Sequence, residues 1–275
     1  MCRRVGRTRL ATLTPFAPFV CSSNSMARRA KQKDIDHVLR AWDYDPGEIS
    51  VRLVQAADGR DVLQMRVDMG ILQLETEHRP DGWRPSGCES YFDYLVGLTI
   101  HEGDDFALDE DQCTEADREL AQFYHRRICW LALREYRRAM RDADHNLAFM
   151  DFLREIAPNQ EWLATHEQYR PFVLFHRTQA GALAALEESS PEQAIEEVNL
   201  GLNRLKDFFE QHDAAESYED DEMVRRLIDL RETLREQYSV GPTLNEKLAE
   251  AIAAEQYEMA AKLRDEIAQR DKRSA

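Results

Sequence analysis

The hydrophobic period of this chain differs between its front and its larger rear part. Between Glu48 and Glu75 apolar residues alternate with polar ones, and from Thr114 onward they recur every three to four positions. Alternation sends successive side chains to opposite faces of a strand, whereas the longer period collects them on one side of a helix. The first segment therefore predicts strands. Glu48 to Val54 carries Ile49, Val51 and Leu53 on one face, Val62 to Val67 follows, and Gly70 to Glu75 is the third. Ala57-Asp58-Gly59-Arg60 holds the Asp-Gly pair of a hairpin turn, and Arg79-Pro80-Asp81-Gly82 turns the chain after the third strand. The expectation is a three-stranded antiparallel meander within a small domain, residues 34–112. Such a sheet needs a cover on one face. Tyr91 to Leu98, apolar and aromatic, reads as a helix closing over it. Asp34 to Trp42 reads as a short lead-in helix. His101 to Gln112, with Glu102, Asp104, Asp105, Asp109, Glu110 and Asp111, reads as a solvated acidic loop.

The second segment predicts helices. Thr114-Glu115-Ala116-Asp117 resembles a capping box with Asp where Glu or Gln is usual. A long helix runs from there to about Arg141, with Leu120, Tyr124, Ile128, Leu131 and Tyr136 near one side. Its continuation, Asp142 to Ile156, stops before Pro158. Pro171 to Glu188 forms another helix. Ser190 at the N-cap and Pro191 in the first turn start the next, which carries Ala194, Ile195, Val198, Leu202, Leu205 and Phe209. Ala184, Ala194 and Gly201 are small enough to let this pair approach closely. The pair resembles a degenerate tetratricopeptide-type repeat, with Leu131 to Asp144 as a candidate second copy; a plain helical bundle is the other reading. This helical-hairpin body spans residues 113–212. Residues 213–242 hold a polar linker, Ala214 to Asp221, and a connecting helix, Glu222 to Tyr238, which Gly241-Pro242 ends. The fold class is α+β, mainly α.

Charge and cysteine usage narrow the function. Asp and Glu number 52 against 36 Lys and Arg, a formal net charge of −16. A surface this acidic repels phosphate backbones and anionic lipid, so neither direct nucleic-acid binding nor membrane binding is expected. No run approaches the roughly 18 apolar residues of a spanning helix. The five Cys, at 2, 21, 88, 113 and 129, are scattered and form no CxxC pair. That suits free thiols in a reducing cytoplasm better than disulfides or zinc. Residues 1–33 read as disordered or as lying ahead of the true start. Four Arg and an apolar stretch from Leu10 to Val20 resemble a signal peptide, but Pro15 and Pro18 interrupt it, and Met26 is the preferred start.

No catalytic motif is legible. There is no phosphate-binding GxxxxGK[ST], no GxGxxG, no GxSxG elbow and no HExxH. Asp142 and His145 have the Asp-x-x-His spacing of one di-iron half-site, but a bundle centre needs two such pairs and two further carboxylates, so a solvated helix face is the simpler reading. Glu75 and His78 fall at a strand end and point to opposite faces. Cys129 beside Trp130 reads as core. An enzyme assembled near His125, Asp142 and His145 is the least favoured reading. The chain is expected to be non-enzymatic, with no cofactor and no metal.

The last segment carries the functional lead. Leu244, Leu248 and Ile252 recur at i, i+4 and i+8; Ala253 to Gln256 turns the chain; Tyr257, Ala260, Ala261, Leu263 and Ile267 line a second helix. Two helices this short do not bury enough surface to fold alone. The pattern from Leu244 to Ile267, including Glu255, Tyr257, Ala260, Ala261 and Arg264, resembles the UVR motif. That motif is found at the end of UvrB, inside UvrC, and in McsA-type regulators of the ClpC protease. The resemblance implies an antiparallel hairpin over residues 243–275 that binds another protein. It nominates Leu244, Leu248, Ile252, Glu255, Tyr257, Ala260, Ala261, Arg264 and Ile267 as binding residues. Implied partners are a UVR-motif protein such as UvrB or UvrC, in excision repair, or a ClpC-type ATPase or kinase; a homodimer is a further reading. No helicase, nuclease or CxxC zinc element accompanies the motif. Gln64 to Trp83 resembles uncharacterised UVR-motif proteins of planctomycete-type bacteria. The competing expectation is a hairpin that caps the body and binds nothing.

Overall fold

A computed structural model describes residues 34–103 and 106–274, with side chains as far as Arg270. The expectations for the first 33 residues, for Asp104 and Asp105, and for the final residues lie outside the described positions. The chain divides at Ala41/Trp42. Before the division lies one short helix, α1 (Asp36–Ala41), where a lead-in helix is expected.

After it come three strands, β1 (Val51–Gln55), β2 (Asp61–Val67) and β3 (Gly70–Glu75), in the order β1-β2-β3 and antiparallel throughout. Gly59 takes φ 90°, as the Asp-Gly turn requires. Leu53 faces Leu63, which faces Leu74, so these three share one side of the sheet. Leu63, Met65 and Leu74 are buried against Cys129, Trp130, Ala139 and Ala180. Leu53 itself is 44% exposed and Ile49 56%. The predicted inner face is real and Val51 packs on this cluster, but β1 is an edge strand whose Leu53 is only partly covered.

The cover comes from α3 (Glu110–Ala132), α4 (Tyr136–Ile156) and α6 (Arg170–Glu188). It is not the helix expected there. That helix, α2 (Tyr91–Glu102), buries Tyr91 and Leu95 against Cys113 and Ala116 of α3 and Phe149, Leu153 and Ile156 of α4. A single residue explains the placement. The Glu119 carboxylate on α3 accepts the backbone N–H groups of Tyr91 (2.5 Å) and Phe92 (3.0 Å), two of the donors a helix start leaves unpaired.

Three further expectations are corrected. The acidic stretch 101–112 is partly helical, since α2 runs to Glu102 and α3 starts at Glu110. The capping box is Asp109 with Gln112: Gln112 N–H donates to Asp109 (2.8 Å), and the Gln112 side-chain carbonyl accepts from Asp109 N–H (2.9 Å). Thr114 lies within the helix and donates to the Glu110 carbonyl. The long helix to Arg141 is also two helices. Arg134 takes φ 61°, Arg134 N–H reaches the Leu131 carbonyl and Glu135 N–H the Trp130 carbonyl. This is a Schellman ending with arginine in the place glycine usually holds, and it reverses the chain into α4.

The remaining helices are α5 (Gln160–Glu167), which the sequence pattern does not foretell, α6, α7 (Pro191–Gln211) and α8 (Glu222–Tyr238). Ser190 accepts Gln193 N–H and Asp221 accepts Met223 and Val224 N–H, as N-caps should. The expected close approach of α6 and α7 is present. Ala184 and Ala194 are buried, and a Cβ placed on Gly201 would stand 2.0 Å from Thr178 Oγ1.

Candidate functional site

The C-terminal segment folds as α9 (Leu244–Ala253) and α10 (Tyr257–Ser274). Thr243 and Glu246 form a capping box that starts α9. Glu255 sits at φ 57°, with Glu255 N–H on the Ile252 carbonyl and Gln256 N–H on the Ala251 carbonyl. The turn is again a Schellman ending without glycine.

The nominated residues separate into two groups. Leu244 and Leu248 are half-buried and pack with Ala251, Ala260 and Leu263, forming the seam that joins the two helices. Ile252 is not in this seam and is 54% exposed. The reason is geometric: at 3.6 residues per turn, position i+8 sits about 80° from i, whereas i+7 sits about 20° away. Ala251 therefore takes the seam place. In the same way Ala260 faces α9 and Ala261 is exposed. Ile267 is half-buried; Glu255 and Arg264 are exposed, and Arg264 pairs with its neighbour Asp265 at 2.8 Å. Tyr257 is 70% exposed and Met259, a residue the sequence pattern passes over, 49%. Ile252, Tyr257 and Met259 thus leave three large apolar side chains in solvent on the two turns flanking Glu255. Met259 lies two places from Tyr257, about 200° round the helix, so no helical period from Tyr257 nominates it.

The body holds this hairpin by polar contacts. Glu192, Glu196 and Asn199 recur at i, i+4 and i+7 on α7 and so share a face. Arg270 Nη1 lies 2.9 Å from Glu192 Oε1, Asn245 Nδ2 donates to Glu196 (3.1 Å), and Asn199 Nδ2 donates to Glu246 (3.0 Å). Arg235 of α8 also pairs with Glu246. Burial would raise the pKa of Glu246. The Thr243 N–H, Asn199 and Arg235 outweigh it and hold this carboxyl below its ordinary range.

The residues considered for chemistry are interior. Asp142 is 1% exposed, not solvated as expected; its two oxygens accept from Arg126 at 2.8 and 2.7 Å. Arg126 also donates to the carbonyls of Glu75 and His78 at the end of the sheet. His145 points elsewhere: its ring stacks on Phe123 at 3.6 Å, and Nε2 is 3.1 Å from Glu119. His125 is half-buried, and burial lowers its pKa. Asp142 and His145 therefore face different partners. Cys129 is fully buried, and loss of hydration pushes its thiol up to about 12. Among the described residues no group of three or more His, Cys, Asp or Glu could hold a metal ion, and no helix is long and apolar enough to cross a membrane.

The architecture is that of a small sheet and helical body ending in a separately seamed helical hairpin. That hairpin is a UVR motif: residues 242–270 match the family described as UvrB/uvrC motif, about a tenth of the chain. Neither the curated proteins nor the solved structures contain a match to the chain.

Proposed function

We propose that this protein is a non-enzymatic adaptor that binds another protein through the turn end of its C-terminal hairpin. The observation that carries the reading is the division of labour within the UVR motif. Its seam is already closed by Leu244, Leu248, Ala251, Ala260 and Leu263, yet Ile252, Tyr257 and Met259 are left exposed on either side of the turn at Glu255. Side chains of this size gain most when a partner covers them. The polar attachment at Glu246, Asn245 and Arg270 fits a module presented by the body rather than one dissolved into its core. A hairpin that merely capped the body would turn its large apolar residues inward.

The motif's relatives suggest the partner. A second UVR hairpin, on UvrB or UvrC, is the first candidate and would make the protein an accessory factor of excision repair; a ClpC-type ATPase or its kinase regulator is the second. The non-catalytic reading is supported by Glu119, Asp142 and His145, each engaged by a partner within the fold. The test is affinity capture against purified UvrB, UvrC and ClpC, and against a second copy, with I252S/Y257A beside the native chain. Both positions are exposed, so folding is expected to change by no more than about 0.5 kcal/mol. Binding is expected to weaken by about 2 kcal/mol or more, roughly thirtyfold. Undiminished binding by a folded I252S/Y257A variant would remove the hairpin as the docking site.

A further inference from the structure

A second feature lies away from the hairpin residues. Helices α3, α4, α5 and α6 border a cavity of about 830 Å³. This is within the range of small-molecule sites, roughly 300–1,000 Å³. Leu120, Tyr124, Met150, Phe172 and Val173 make its walls apolar. Of the polar side chains that line it, Arg127 and Asn146 are buried and each keeps an atom unsatisfied. Arg127 is 1% exposed and Asn146 3%. Among the described residues, Arg127 Nη1 and Asn146 Oδ1 find no hydrogen-bond partner.

The surroundings of Arg127 show what is missing. Its Nε donates to His176 Nδ1 at 3.3 Å, and its guanidinium lies 5.6 Å from the Tyr124 ring. Neither contact brings a negative charge. Burial, then the neighbouring Arg127, hold His176 down at about 4, so the imidazole is neutral near pH 7. The nearby Asp142 is occupied on both oxygens by Arg126. Asp117, the carboxylate among the lining residues, lies at 3.0 Å from His166. Burial lowers the Arg127 pKa to about 10, which leaves it a cation. A buried cation whose nearby carboxylate, Asp142, is already bonded on both oxygens to Arg126 is disfavoured unless something else pairs with it.

We propose that this cavity binds a hydrophobic carboxylate, with the acid group on Arg127 and the apolar body between Tyr124, Met150 and Phe172. The carboxylate satisfies the free guanidinium edge, and a hydroxyl or a bound water satisfies Asn146 Oδ1. Binding is non-covalent. It would give the helical body a ligand of its own, whatever the hairpin engages.

Calorimetry on the full chain tests this with octanoate and 1-naphthoate, each beside its neutral counterpart, 1-octanol and 1-naphthalenemethanol. The two bodies distinguish an acyl chain from an aromatic ligand. At least one acid is expected to bind about tenfold or more tightly than its alcohol, the scale of a charge-assisted hydrogen bond. R127M is expected to abolish that preference. A121W, at an exposed rim position, is expected to weaken acid and alcohol alike, and it tests the location even if R127M fails to fold. Equal affinity for acid and alcohol, no binding by either acid, or acid binding unaffected by A121W overturns the proposal.

Discussion

Gly201→Ala is a sharp test of how the helical body is packed. In an open helix this change stabilises, by about 1 kcal/mol, because alanine is the better helix former. Here the new methyl carbon would stand 2.0 Å from Thr178 Oγ1, 2.2 Å from Cγ2 and 2.6 Å from Cβ. Ordinary carbon contacts lie at about 3.5–4 Å. A rotation of Thr178 relieves the first two contacts, but its Cβ is fixed to the backbone of α6. Thr178 is 1% exposed, so it has no solvent to turn toward. The helices must therefore separate by about 1 Å or more along a tightly packed pair, and overpacking of this kind costs about 1–3 kcal/mol. Set against the propensity gain, the expected net loss is up to about 2 kcal/mol, a fall in Tm of up to about 8 °C for a domain of this size. Thermal unfolding followed by circular dichroism measures it. Gly97→Ala is the internal control, since nothing lies within 4 Å of a Cβ there; it is expected to be neutral or stabilising. Thr178→Gly added to Gly201→Ala is expected to recover part of the loss by moving the methyl carbon to the opposite helix. If Gly201→Ala alone melts at or above the native temperature, α6 and α7 are not in contact at this point.

Two further outcomes concern acid and turns. His176 sits at about 4 against an ordinary 6.5, through burial and then Arg127. Glu167 sits at about 2 against 4.5, because Arg170 and Arg154 outweigh the opposing effect of burial. In each case the unfolded chain takes up the proton first. The stabilisation is complete above the unfolded value and is lost as pH falls through the folded one. H176Q is expected to flatten the decline of Tm between about pH 6.5 and 4, and E167Q that between about 4.5 and 2; unchanged slopes in either variant would contradict the assignment. At the turns, Arg134→Gly is expected to stabilise by about 1 kcal/mol, since an L-residue in the left-handed region is penalised by about 1–2 kcal/mol and glycine regains most of it. A drop in Tm for R134G would mean that the Arg side chain makes a stabilising contact that outweighs its backbone strain.

What was legible in the sequence follows from where the information is local. Strand β3 and the start of α7 are foretold to the residue, because alternation in Gly70–Glu75 and the Ser190-Pro191 pair act within a few positions. The reversals after Ala132 and Ala253 are harder. Both use a non-glycine residue in the left-handed region, Arg134 and Glu255, so the usual glycine signal is missing; only the Ala-rich spacing betrayed the second. The placement of α2 depends on Glu119, 28 positions from Tyr91, and no window of periodicity spans that distance. Asp142 was misjudged for the same reason. A carboxylate reads as solvated unless its buried cation is known, and Arg126 is 16 positions away. In the hairpin, the motif was recognisable from residue spacing, but the division into seam and exposed residues turns on whether i+7 or i+8 stays in line, which a repeat of four conceals.

The Arg126 contacts also bear on how such a chain is passed on. One guanidinium grips Asp142 on α4 and the carbonyls of Glu75 and His78 at the edge of the sheet. A descendant that lost the strands would inherit a cation with two of its partners gone, and one that changed Asp142 alone would inherit a charge without its counter-charge. Either is strongly disfavoured. Sheet and helices are therefore expected to travel together through gene rearrangement, while the hairpin, tied on by side chains at its base, is the part that recombination can move.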